Sequence, residues 1–149
     1  MKICLVCSSG GHLFALYFLK DYWLKYTRFW VTFPTLDTKS LLTGEKIYPA
    51  FYPTNRNILN LFRNFLLAAR IFFVEKPDIV ITSGAGVGVA FIIIAKFFRI
   101  KTVYIESLTR ISDISLSGKL SYPFVNHFLV QWPELAKKYA KAKFVGTNI

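Results

Sequence analysis

Residues 8–12 read Ser-Ser-Gly-Gly-His and follow directly on the apolar run KICLVC. Two adjacent glycines, Gly10 and Gly11, let a chain turn sharply and let a ligand approach the main chain. A helix starting there adds unpaired N–H groups and a positive dipole end, which together favour an anion. The same dipole end favours a neutral imidazole at His12, free to accept a proton or donate one hydrogen bond. The run is neither a P-loop nor a G-x-G-x-x-G fingerprint, and a plain tight turn is the alternative. Residues 82–90, TSGAGVGVA, place Ser83, Gly84 and Gly86 at a second such turn. Val89 breaks the dinucleotide fingerprint, and close helix–sheet packing is the alternative to a second anion cradle. The third stretch, YIESLTRISDISLSGKLSY (104–122), ends an apolar run on Glu106. A lone carboxylate there could grip a sugar hydroxyl or act as a general base. Arg110 could pair with Glu106 or bind phosphate through its two-pronged guanidinium.

These stretches act together only if the fold gathers them. Strand-like runs fall at 2–7, 28–33, 46–51, 78–82, 101–106 and 127–131. Helix-like runs fall at about 12–26, 57–75, 86–98, 117–124 and 133–141, and Pro77 stops the second of them. Short runs rich in Val and Ile, without polar alternation, mark strands buried on both faces. Strands alternating with helices predict an α/β domain, a Rossmann-like open parallel sheet with helices on both faces. In such sheets ligands bind beyond the carboxyl ends of the strands, where the three stretches lie. The polar segment 34–45 reads as a mobile loop. No repeat or linker divides the chain, so residues 1–149 are expected to form one domain.

Hydrophobic residues make up 54 % of the 149, and nineteen Lys and Arg face eight Asp and Glu, for a formal charge of +11. That pairing of grease and charge fits an anionic membrane surface better than nucleic acid. No apolar run reaches the roughly 20 residues a membrane span needs, and no secretory signal opens the chain. The expectation is a protein on the cytoplasmic side, held peripherally at the inner membrane. Arg56, Arg63 and Arg70 recur every seven residues and form one stripe on the 57–75 helix. The apolar arc around them is wider than a core-facing helix needs. A membrane interface, a protein interface and a solvated arginine face all fit that pattern. Trp23, between Tyr22 and Tyr26 and among basic residues, has the composition of an interfacial belt. Cys4 and Cys7 would point to opposite faces of a strand, which reads as two buried thiols. Neither a metal site nor a cofactor is expected.

SSGGH after the first strand, SGAG after the fourth, and ES…R…SLSGKLSY…VQWPELAKKY resemble the PssD-like family of bacterial capsule and exopolysaccharide biosynthesis. That family is similar to the membrane-anchoring subunit of the two-piece UDP-GlcNAc transferase of dolichol-linked N-glycan assembly. It is also similar to the N-terminal half of MurG, the peptidoglycan glycosyltransferase. The resemblance implies the acceptor-side half of a GT-B glycosyltransferase, with a PssE-like partner subunit binding the UDP-sugar. It implies a polyprenyl-diphosphate sugar acceptor near Gly10, Gly11, His12, Ser83, Gly84 and Gly86, with Glu106 beside the acceptor sugar. The expected chemistry is displacement at the anomeric carbon by an acceptor hydroxyl, with His12 or Glu106 as base. A purely structural membrane anchor and a stand-alone nucleotide-binding protein are the competing readings.

Overall fold

Strands that are apolar on both sides must be covered on both sides, and the chain meets that demand with helices. The computed structural model describes residues 1–54 and 56–146. It contains the strands β1 (Lys2–Val6), β2 (Thr27–Thr32), β3 (Ile47–Pro49), β4 (Ile79–Thr82), β5 (Lys101–Ile105), β6 (His127–Val130) and β7 (Ala142–Phe144). They form one seven-stranded sheet in the order β3-β2-β1-β4-β5-β6-β7, every pairing parallel. The helices are α1 (Gly11–Tyr17), α2 (Lys20–Trp23), α3 (Leu36–Leu41), α4 (Ile58–Glu75), α5 (Ala85–Phe97), α6 (Leu116–Ser121) and α7 (Pro133–Lys138). The strand order reverses between β1 and β4, which makes the gap above their carboxyl ends the topological switch point.

Cys4, Val6, Phe29 and Val31 face α4 and α5, where Ala68, Phe72, Phe91 and Ala95 complete the core. Ile3, Leu5, Cys7 and Trp30 face the other way, onto Leu13 and Leu16 of α1 and Trp23 of α2. Cys4 and Cys7 are free thiols on opposite faces, as the strand spacing predicts. Burial pushes both upward, Cys7 to about 12, so neither is a nucleophile. A third cluster, with Tyr104 stacked on Phe128, fills the space around β5 and β6.

Five expectations need correction. The helix expected over 12–26 breaks at Leu19 into α1 and α2. That break turns Trp23 inward: its indole donates to the Leu16 carbonyl at 2.9 Å and its ring meets Trp30 edge-on at 5.4 Å. Trp23 is 2 % exposed and is therefore not a membrane contact. The segment 34–45 is not a plain loop, because it holds α3, with Thr38 and Leu42 buried beneath it. A seventh strand, β7, follows α7 where a longer helix was expected, and its three residues are too few to leave a pattern. Arg56 lies ahead of α4 with φ 53°, off the stripe that Arg63 and Arg70 keep on the exposed side.

At the amino ends of the strands, Glu75 ties α4 to the sheet. It accepts from Lys2 Nζ at 3.2 Å, from Tyr48 Oη at 2.5 Å and from Lys46 Nζ. These donors, Lys46 first, hold its carboxyl at about 2, below its ordinary 4.5. A depressed carboxyl stabilises the fold above its ordinary value and loses that contribution as pH falls through the lowered one. Stability should therefore decline between about pH 4.5 and pH 2. Glu75→Gln should lower the melting temperature by a few degrees at neutral pH and flatten that acid decline, as thermal melts across the range will show.

Candidate functional site

The two glycine turns predicted separately meet at the switch point, and His12 joins them. Its Nδ1 lies 2.8 Å from the Ser83 carbonyl, and Ser83 Oγ donates back to the His12 carbonyl at 2.7 Å. A carbonyl only accepts, so Nδ1 carries the proton in this bond. In the tautomer with a single ring proton, Nε2 is the acceptor. Gly84, φ 112°, closes this arrangement. A Cβ there would stand 2.7 Å from Tyr104 Oη and 3.3 Å from His12 Cε1, so only glycine lets both side chains approach.

A cavity of about 450 Å³ opens above the lock, lined among others by Gly11, His12, Phe14, Phe18, Ser83 and Thr109. Its lining is mostly apolar, with Phe14 and Phe18, and carries a few polar groups from His12, Ser83 and Thr109, a combination suited to a hydroxylated ring. A second cavity, about 350 Å³, lies against the head of α5 and includes Thr54, Arg56, Leu61, Gly86 and Leu116. The head of α5 thus borders both. Ser83 lines one cavity and Ala85 and Gly86 line the other. No side chain caps α5, so its first-turn N–H groups keep their capacity for an acceptor.

The first turn differs. Gly10 N–H already donates to Asp37 Oδ2 at 2.8 Å, and α1 is only seven residues long. The Thr35 hydroxyl and that Gly10 N–H hold the Asp37 carboxyl below its ordinary range. The Gly10 N–H expected to meet an anion is thus taken by the protein's own carboxylate, while the first-turn N–H groups of α1, like those of α5, have no side-chain cap. Asp37 was missed because it sits in the segment read as a loop. The signal was its position just past the end of β2, at the same rim as the glycine turns.

Glu106 is 1 % exposed and its oxygens are engaged. They accept from Ser107 N at 2.9 Å, Ser115 N at 2.8 Å and Ser115 Oγ at 3.0 Å. Ser115 in turn caps α6 by accepting from Gly118 N. A Cβ at Gly118 would fall 2.5 Å from Glu106 Oε2, so that glycine makes room for the carboxylate. Of the two expected candidates for the base, Glu106 is thus the buried one, and its hydrogen bonds anchor the 107–115 loop to α6. Arg110 is exposed and makes no ion pair with Glu106 among the described residues, which leaves it available to an anion. Gln131 Nε2 donates to the Glu106 carbonyl at 3.1 Å and Trp132 Nε1 to the Leu108 carbonyl at 2.7 Å, fixing the same loop from β6.

The fold, with its site at the switch point, defines a class. The whole chain superposes on 46 % of Acinetobacter baumannii MurG with a TM-score of 0.80 at 16 % identity. It superposes over 99 % of its length on 47 % of a Methanocaldococcus jannaschii UDP-GlcNAc 2-epimerase, with a TM-score of 0.78 at 13 % identity. The architecture is the Rossmann-like unit of the GT-B fold. Residues 53–148 match the family "Oligosaccharide biosynthesis protein Alg14 like", and the chain belongs to that family. It is 45 % identical over 75 residues to the UDP-N-acetylglucosamine transferase subunit alg14 of Schizosaccharomyces pombe, covering 47 % of this chain and 36 % of that protein. The ALG14 subunit of Debaryomyces hansenii is 33 % identical over 112 residues, 71 % of this chain and 46 % of that protein. The human counterpart is 35 % identical over 77 residues, 48 % and 36 % of the two chains. The chain thus spans less than half the length of these curated relatives.

If Glu106 is a strut, Glu106→Ala leaves the Ser107 and Ser115 N–H groups unpaired and should destabilise the fold by about 2–4 kcal/mol. Urea denaturation measures this, and unchanged stability would restore the carboxylate to the list of candidate bases.

Proposed function

We propose that this chain is the acceptor-side subunit of a two-component glycosyltransferase in polysaccharide biosynthesis. In this reading residues 1–149 form one domain, equivalent to the N-terminal half of a GT-B enzyme. A PssE-like partner supplies the half that holds the UDP-sugar, and transfer requires both. The finer kinship is with PssD-like proteins of capsule and exopolysaccharide assembly. The observation that carries the reading is the His12–Ser83 lock at the switch point, in a chain whose relatives are named transferase subunits.

The acceptor is a polyprenyl-diphosphate sugar. Its sugar enters the cavity beside His12, with Phe14 and Phe18 against its apolar face. Its diphosphate meets the Ser83–Gly86 turn and Arg110. The acceptor hydroxyl attacks the anomeric carbon of the UDP-sugar while the bond from that carbon to the phosphate oxygen breaks, and UDP leaves with the electron pair. His12 Nε2 takes the hydroxyl proton. Uncovered Leu59, Phe62 and Leu66 of α4, with Arg63 beside them, rest on the inner membrane from its cytoplasmic side. No helix among the described residues is long and apolar enough to cross a membrane, and peripheral attachment accords with that.

Co-expression with a PssE-like candidate partner, followed by assay of membranes with a panel of labelled UDP-sugars, tests the reading. Sugar should enter the lipid fraction only when both chains are present. His12→Ala should reduce transfer by about 10²–10⁴-fold without loss of the complex. Wild-type activity of that variant would favour a structural anchor, and tight UDP binding by the isolated chain a stand-alone nucleotide-binding protein.

A further inference from the structure

A cluster of cations without ion-pair partners among the described residues lies at the end of the sheet opposite the site. α4 and α5 both finish there, and both finish on a cation in the left-handed conformation: Lys76 with φ 48° and Arg99 with φ 56°. Glycine usually fills such a position, because it alone adopts that conformation without strain. Two helices keep a long basic side chain where the backbone favours none. A helix C-terminus attracts one cation through its dipole, but the foot of α5 carries more. Lys96, Arg99 and Lys101 line a single cavity with Ile100 and Asn126, and no carboxylate shares that lining. None of the three forms an ion pair among the described residues. Arg99 and Ile100 also line the adjoining cavity, which reaches Lys76 and Asp78. Asp78, the one acid there, accepts the Lys2 backbone N–H at 2.6 Å.

Large apolar side chains stand among these cations. Phe97 is 76 % exposed and Phe73 is 74 % exposed, and Phe98 packs against Phe72 at 5.8 Å, joining the feet of the two helices. Aromatic rings interleaved with lysine and arginine fit the boundary between lipid headgroups and acyl chains. Aromatic rings also serve nucleic acid as stacking platforms, but here Phe73 and Phe97 stand with exposed aliphatic Val74, a surplus that suits acyl chains rather than bases. Charge complementarity selects an anionic lipid surface.

We infer that the foot of α4 and α5, centred on Lys96, Phe97, Arg99 and Lys101, is a docking surface for anionic phospholipid headgroups. It extends the membrane face from Leu66 to the end of α4 at Glu75, nine residues or about 14 Å. It rests on the membrane association proposed above, but involves none of the residues assigned to acceptor, diphosphate or catalysis.

The test is co-sedimentation of the full chain with phosphatidylcholine vesicles, with and without phosphatidylglycerol. The triple variant Lys96→Gln/Arg99→Gln/Lys101→Gln should bind the anionic vesicles about a hundredfold more weakly, near fivefold per cation, and wild-type binding should weaken with salt. Arg99→Gly separates surface from fold: it should keep or raise the melting temperature while vesicle binding falls. Triple-variant binding equal to wild type, with loss confined to Arg63→Gln/Arg70→Gln, would overturn the inference. So would indifference to phosphatidylglycerol, or preference for a single-stranded oligonucleotide over vesicles. Transfer by the two-chain complex in detergent should be unchanged in the triple variant. Failure of that transfer in the wild type would count against the proposed function and leave the vesicle result standing.

Discussion

A parallel sheet whose central strands have no wet face governs this molecule. Ile3, Cys4, Leu5 and Val6 are all fully buried, so consecutive residues of β1 face opposite cores. Water can reach such a strand only at its ends. Polar chemistry is therefore expelled to two poles: the rim where strands stop and the foot where they begin. The helices that cover the sheet carry their own dipoles to the same poles, with α4 and α5 both ending at the foot. Site and charge are thus separated by the same packing requirement that makes the core.

At the rim, geometry is fixed by bonds between turns rather than within them. His12 and Ser83 are far apart in sequence yet exchange side-chain and main-chain hydrogen bonds. The 107–115 loop is held by Glu106 from below and by Gln131 and Trp132 from the side. Asp113 adds a surface clamp. Its carboxyl is held well below the usual range by the Tyr139 hydroxyl and then by Lys119, so α7 and α6 are tied to the same loop. Loops anchored from several elements present backbone groups to a ligand without first having to be ordered.

The strands were legible because Val- and Ile-rich runs between helical periods leave little else to choose. α4 was legible for the same reason, and so were its surplus apolar residues, which stand exposed in the fold. Contacts between distant residues were not. Trp23 among lysines and tyrosines reads as surface, yet the indole N–H finds the Leu16 carbonyl and the ring completes a core. Glu106 reads as a lone carboxylate because its partner Ser115 arrives from nine residues away and Gly118 makes the space. Asn60 and Asn64, polar residues on a mostly apolar helix, turn inward and bond the main chain of Pro53 and Phe51. Residue type announces which groups can do chemistry; only the third dimension says which of them are already occupied.

Asp37 gives the rim a polarity of its own. Of two turns that look alike in sequence, both with helix heads that no side chain caps, one carries a built-in negative charge on the Gly10 N–H. That charge disfavours an anion at the first turn relative to the second, while an uncharged group meets no such penalty at either. A guest with one charged and one neutral end can therefore lie across the switch point in a single orientation. A keyway cut by one carboxylate sets the direction in which anything seated there must face.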